Sequence, residues 1–359
     1  MSLETLLLHS RRYGKDTAFV LLGGGNTSYK EGDVLYVKAS GHSLATITEE
    51  GFVKMSLKKM EGIWEKQYSE DDDKREDQVL EDMMDCRLEG EKARPSVEAL
   101  LHAVLPFPYV VHLHPALVNG LTCSQNGEKA FHELFPDDLW IELVKPGFTL
   151  ADVVRKRLIR QQQQQGQVSS RIFLQNHGIF VGGTTLEEVQ DSYLQIMHTL
   201  ESRLVRKPDF SPVAYDQKRV DGVLSLLQTV SLEKPVFSVN REIANVVRTR
   251  KAFGSVDSSF TPDHIVYAGF KPLWVEDEGQ LVSVFKAFRK ENGVDPKIIC
   301  VQELGAFSLG ETPMPLFLDT VAISVYTESF GGPRFMDDAM IGFIRNWEVE
   351  KYRAKVAAP

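Results

Sequence analysis

Residues 109–114, Tyr-Val-Val-His-Leu-His, limit what this chain can fold into more than any other stretch. β-Branched and aromatic residues predominate, so the segment is expected to be a β-strand. Side chains two apart on a strand leave the same face, so the imidazoles of His112 and His114 point to one place. Two readings are open. Each ring bonds a backbone carbonyl as an ordinary core residue, or the pair ligates a cation. Zinc takes neutral imidazole nitrogens at about 2.0–2.1 Å, and its catalytic sites use three protein ligands and an open position. Taken alone, the pair favours the core reading.

The surroundings change that balance. "PSVEALLHAVL" (95–105) has helical spacing, with Pro95 suited to the first turn and Ser96 to the cap. It carries Glu98 just ahead of the histidine strand, and a carboxylate beside a metal serves as ligand, general base or both in turn. "RIFLQNHGIFVGG" (171–183) reads as two strands meeting at Asn176-His177-Gly178, where glycine lets the backbone turn closely around an ion. His177 is therefore a third candidate ligand.

Elsewhere, residues 2–13 read as a helix with Leu3, Leu6 and Leu7 on one stripe. "VLYVKAS" and "GFVKMSL" are strand-like, and the acidic "SEDDDKRED" is expected to be a solvated segment. Residues 150–167 read as a helix fading into a glutamine run, taken as an exposed insertion, and residues 186–205 as a helix. The prolines and polar residues of "RKPDFSPVAYDQ" mark a linker. The expected organisation is a first domain over 1–208, a linker over 209–224 and a smaller α/β domain over 225–359 ending in a helix.

Net charge is −9 and no basic stripe occurs, which argues against a nucleic-acid partner. No apolar run reaches the roughly 20 residues that span a bilayer, and the first residues lack the form of a signal peptide. Three scattered cysteines (Cys86, Cys123 and Cys300) fit a reducing compartment. The expected location is the cytoplasm, without a membrane partner.

Five marks occur in order: "GGNTS" with Asn26 and Ser28, "ASG" with Ser40 and Gly41, "PSVE" with Ser96 and Glu98, "HLH", and "NHG". In this set the chain resembles the class II aldolase/adducin superfamily over roughly residues 1–205. "VKASG", "FTPDHIV" and "FIRNWEVEKYR" extend the likeness to the aldolase half of bifunctional rhamnulose-1-phosphate aldolase/alcohol dehydrogenase proteins, without the dehydrogenase half. The resemblance implies a three-layer α/β/α domain around a mostly antiparallel sheet, with the smaller C-terminal α/β domain beside it. It implies Zn²⁺ or another divalent metal on His112, His114 and His177, with Glu98 as catalytic acid/base. It further implies a substrate cradle of Asn26, Ser28, Ser40, Gly41 and Ser96, and a homo-oligomer, tetrameric in relatives. The implied reaction cleaves a ketose 1-phosphate or related sugar through a metal-stabilised enediolate.

One departure stands out. The phosphate aldolases' second serine in P-S-S-E is Val97 here, so Lys38 is the alternative contact for a phosphate or carboxylate. A metal-dependent epimerase, decarboxylase or dehydratase would use the same residues, and an adducin-like assembly protein would need none of them. His102, four residues after Glu98, is weighed as an orienting residue and as a structural one, and the structural reading is favoured. His264 and Cys123 are read as structural.

Overall fold

The computed structural model describes residues 3–347, so the last part of the expected second domain, 348–359, lies outside the described residues. Seven strands form the first sheet: β1 (Asn26–Glu31), β2 (Val34–Lys38), β3 (Phe52–Ser56), β4 (Tyr109–Leu113), β5 (Leu139–Ile141), β6 (Arg171–Leu174) and β7 (Gly178–Gly183). Their order is β3-β2-β1-β4-β7-β6-β5, and every pairing is antiparallel except β5 with β6.

β4 lies at the centre with all five residues buried, because helices cover both faces of the sheet. Tyr109, Val111 and Leu113 face one cluster, packed by helices Leu3–Lys15, Ala116–Thr122, Gly127–Leu134 and Leu186–Glu201. Val110 faces the other, packed by helices Asp72–Asp85, Ala99–Val104 and Phe148–Gln165. The result is the three-layer α/β/α arrangement the sequence suggested. His112 falls on the Val110 face, with Asn26 and Phe180 opposite it on the two neighbouring strands.

Three local expectations need correction. The helix expected from residue 95 begins at Ala99. Tertiary pairing causes the delay: Ala39 bridges Pro95, Ser40 N–H donates to Arg94 O and Ser96 N–H to Lys38 O, which holds 94–96 extended. The glutamine run is exposed as expected, but it does not fade out of the helix; it completes Phe148–Gln165, which ends at Gly166 in the left-handed conformation (φ 73°). The acidic cluster is only partly a solvated segment. Asp71 caps the helix Asp72–Asp85 through Lys74 N–H, and Glu76 within it is buried.

A second sheet contains β8 (Pro235–Ser238), β9 (Leu273–Val275), β10 (Ile298–Val301) and β11 (Gly305–Leu309), in the order β8-β11-β10-β9. Helices Gln217–Gln228 and Leu281–Asn292 pack on one face, and Arg241–Val246, Pro313–Thr327 and Asp338–Asn346 on the other. The helix capped by Asp216 thus starts inside the stretch expected as linker. The two halves are tightly joined. Helix Pro313–Thr327 lies along helix Ala116–Thr122, and Gln125 and Asn126 N–H groups donate to Gly332 and Phe330 carbonyls. Among the described residues, no helix is long and apolar enough to cross a membrane.

Candidate metal centre

β1 and the start of helix Ala99–Val104 form a matched pair of rungs. Asn26 and Ser28 stand two apart on the strand, and Glu98 and His102 four apart at the helix. These spacings are about 6.7 Å and about 6 Å, so both pairs meet. Asn26 Nδ2–H donates to Glu98 Oε2. Ser28 Oγ bonds His102 Nδ1 at 2.7 Å. Ser28 is fully buried and does not line the cavity, so the structure sets it apart from the expected cradle. His102 meets Ser28 and not the Glu98 carboxylate, a contact of the structural kind favoured above, and burial pushes its pKa down to about 3.

The register of the sheet then delivers the histidines. Asn26 lies opposite His112, and His112 opposite Phe180, whose ring stacks on the imidazole at 4.0 Å between centroids. His112 Nδ1–H donates to Ile179 O at 3.0 Å, which turns Nε2 inward. His114 follows the end of β4, and its Nδ1–H donates to Asp263 Oδ2 at 2.6 Å. His177 stands in the β6–β7 corner, after Asn176 in a left-handed conformation (φ 55°). Gly178 must be glycine: a Cβ there would lie 2.6 Å from Leu113 O and 2.7 Å from His114 Cδ2.

Ligating nitrogens of the three histidines lie within 4.8 Å of one another. His112 Nε2 and His114 Nε2 are 2.8 Å apart, and Glu98 Oε1 is 3.3 Å from His112 Nε2 and 3.2 Å from His177 Nε2. Two atoms bound at 2.0–2.1 Å to a tetrahedral ion stand about 3.3 Å apart, so these separations suit a small divalent cation. Protonation argues the same way. Both Nδ1 atoms donate outward, so in the neutral rings the two close Nε2 atoms present lone pairs to each other. Glu98 Oε1 is buried without a hydrogen bond of proper geometry. A donor set of facing lone pairs and an unsatisfied carboxylate oxygen fits a cation.

Electrostatics keep the donors in ligating form. Burial opposes charge on Glu98, and positive charge at His112 and His177 outweighs it and holds the carboxyl well below its ordinary range, a part that a bound cation would take over where the rings are neutral. Burial likewise pushes the His112 pKa down against the pull of Glu98, favouring the neutral ring.

In front of these groups opens a cavity lined by Glu98, His114 and His177 and by the expected cradle residues Asn26, Lys38, Ser40, Gly41 and Ser96. His112 sits behind them, fully buried. Val97 and Pro262 add apolar wall. Lys38 Nζ donates to His42 O at 2.7 Å and Gly23 O at 3.2 Å, tying the glycine loop to the turn after β2.

Residues 5–204 match the family described as Class II Aldolase and Adducin N-terminal domain. This chain belongs to the class II aldolase/adducin family. An uncharacterized oxidoreductase of Bacillus subtilis (strain 168), YuxG, is 22% identical over 413 residues. That match takes in 99% of this chain but only 58% of the relative's length. A class II aldolase domain from Thermoplasma acidophilum is similar at 27% identity and TM-score 0.49, over 56% of this chain and 93% of that one. A putative aldolase/epimerase/decarboxylase of Klebsiella pneumoniae, YgbL, matches at 17% identity and TM-score 0.39, over 56% of this chain and 89% of its own.

Two contributors to this aldolase-family site escape sequence reasoning. Asp263 stands beside His264 in "FTPDHIV", but its contact with His114 spans 149 positions. His264 itself is structural, bonding Thr261 through Nδ1 and Asp319 through Nε2. Asn176 is the other: its Nδ2 donates to Phe260 O at 3.0 Å and Arg334 O at 2.8 Å. The first residue of "NHG" was the available signal, since a left-handed corner favours asparagine.

Proposed function

We propose that this chain is a zinc-dependent aldehyde-lyase that cleaves a ketose 1-phosphate or related sugar into a dihydroxyacetone-type fragment and an aldehyde. The observation that carries this reading is the 2.8 Å approach of His112 and His114 Nε2, with Glu98 Oε1 beside them. Three imidazoles leave one position of a tetrahedral ion open to substrate, the pattern of catalytic zinc. When bound, the cation supplies the positive charge that offsets charge developing on substrate oxygens as the carbon–carbon bond breaks.

The protein's own groups do the remaining work. Glu98, ionised and held at Oε2 by Asn26, moves a proton to and from the reacting carbon. Lys38, Ser40, Gly41 and Ser96, which line the same cavity, hold the anionic end of the substrate. Because Val97 offers no hydroxyl, Lys38 carries the larger share of that recognition. An adducin-like scaffold has no need for such a donor set. The further likeness to the aldolase half of a rhamnulose-phosphate aldolase/dehydrogenase, a homo-oligomeric state and a cytoplasmic location belong to the same proposal.

A coupled assay for released aldehyde, run over ketose 1-phosphates, tests the reading. Activity should vanish on chelation, return with Zn²⁺, and fall by about 100-fold or more in Glu98→Gln. Interconversion of epimers without aldehyde release would replace the lyase by an epimerase of the same superfamily.

A further inference from the structure

The three ligand histidines are not fixed by one domain. His112 is oriented by Ile179 O within the first sheet, but His114 is oriented by a carboxylate from the second half of the chain. Resting on the metal-centre reading, we propose that Asp263 is a positioning residue of that centre, so that the second domain completes the site in cis.

Geometry supports this from several directions. Asp263 and His114 side chains are 6% and 10% exposed, so little water competes for their 2.6 Å hydrogen bond. Accepting from Nδ1–H, Asp263 fixes the tautomer whose Nε2 lone pair faces His112 and the cavity. Partners of this kind orient the ring and raise the basicity of the ligating nitrogen. The glycine loop is shaped to admit the carboxylate: a Cβ on Gly24 would lie 2.6 Å from Asp263 Oδ2.

The segment bearing Asp263 is held on each side. Asn176, next to the ligand His177, donates to Phe260 O at one end. His264 Nδ1 accepts from Thr261 N–H at 3.2 Å, so its Nε2–H donates to Asp319 Oδ2 at 3.1 Å. Pro262 contributes cavity wall beside His177. The same corner thus touches the surroundings of one ligand, His177, and delivers the carboxylate to another, His114. Metal affinity and docking of the second domain are consequently linked: loosening the corner costs metal, and binding metal tightens the corner.

The test uses the full chain and the metal alone. Zn²⁺ affinity is measured by competition with a chromophoric chelator, and the Co²⁺-loaded protein gives a ligand-field spectrum. Asp263→Ala should weaken Zn²⁺ binding by about 10–100-fold and shift the Co²⁺ bands. Gly24→Ala, which displaces the carboxylate without removing it, should do the same and covers the case in which Asp263→Ala fails to fold. Asp263→Asn keeps an oxygen acceptor for Nδ1–H and should recover most of the affinity. Wild-type affinity within about twofold and an unchanged Co²⁺ spectrum in both alanine variants would overturn the role of Asp263 alone. A wild-type chain that binds neither ion would overturn the metal-centre reading and this inference with it.

Discussion

Glu76 sits where two helices of the Glu98-bearing layer meet, and it titrates in a window easily reached by experiment. Its Oε2 accepts Phe148 N–H at 3.0 Å, which joins helix Asp72–Asp85 to the first turn of helix Phe148–Gln165. The latter helix packs on helix Ala99–Val104, next to Glu98. Arg75 Nε stands 3.8 Å from Oε1, too far to satisfy it, and burial pushes the carboxyl from its ordinary 4.5 up to about 7. At about 1.4 kcal/mol per pH unit, that gap amounts to about 3 kcal/mol. The native state binds this proton more tightly than the unfolded chain. The contribution is therefore complete below 4.5 and is lost as pH rises through 7. Glu76→Gln keeps an oxygen acceptor for Phe148 N–H and removes the titration. Its urea stability relative to wild type should rise by about 3 kcal/mol between about pH 4 and about pH 9. A stability difference that stays constant over this range would show that Glu76 does not titrate with a raised pKa in the folded protein.

Three further substitutions probe the site. Gly178→Ala forces His114 or Leu113 aside, so Zn²⁺ affinity should drop about 10-fold or more in chelator competition; an unchanged value would deny the tight corner a role. Ser28→Ala removes the partner of buried His102 and should cost about 1–3 kcal/mol in urea while leaving KM alone, whereas a raised KM would return Ser28 to the cradle. Lys38→Met should raise KM for an anionic substrate by about 10-fold or more, and equal KM values in the two proteins would remove Lys38 from substrate recognition.

Much of the site was legible because its spacing is local. Period two put His112 and His114 together, and strand-type runs on either side of "NHG" located the corner that holds His177. Period two also puts Asn26 and Ser28 on one face, yet only the overlying helix decides their roles: Glu98 meets the first and His102 the second. The late start of that helix follows from the pairing of 94–96 with 38–40, which no local propensity encodes. Asp263 was hidden for the same reason. Its meaning lies in contact with a residue 149 positions earlier, and in a domain whose role its own sequence does not declare.

Anomalous scattering at the zinc edge, from crystals of the full chain grown with Zn²⁺, would locate the metal itself. One strong peak per chain is expected, about 2.0–2.1 Å from nitrogens of His112, His114 and His177, beside Glu98. No peak among these three rings, or one held elsewhere in an active protein, would contradict the metal-centre reading.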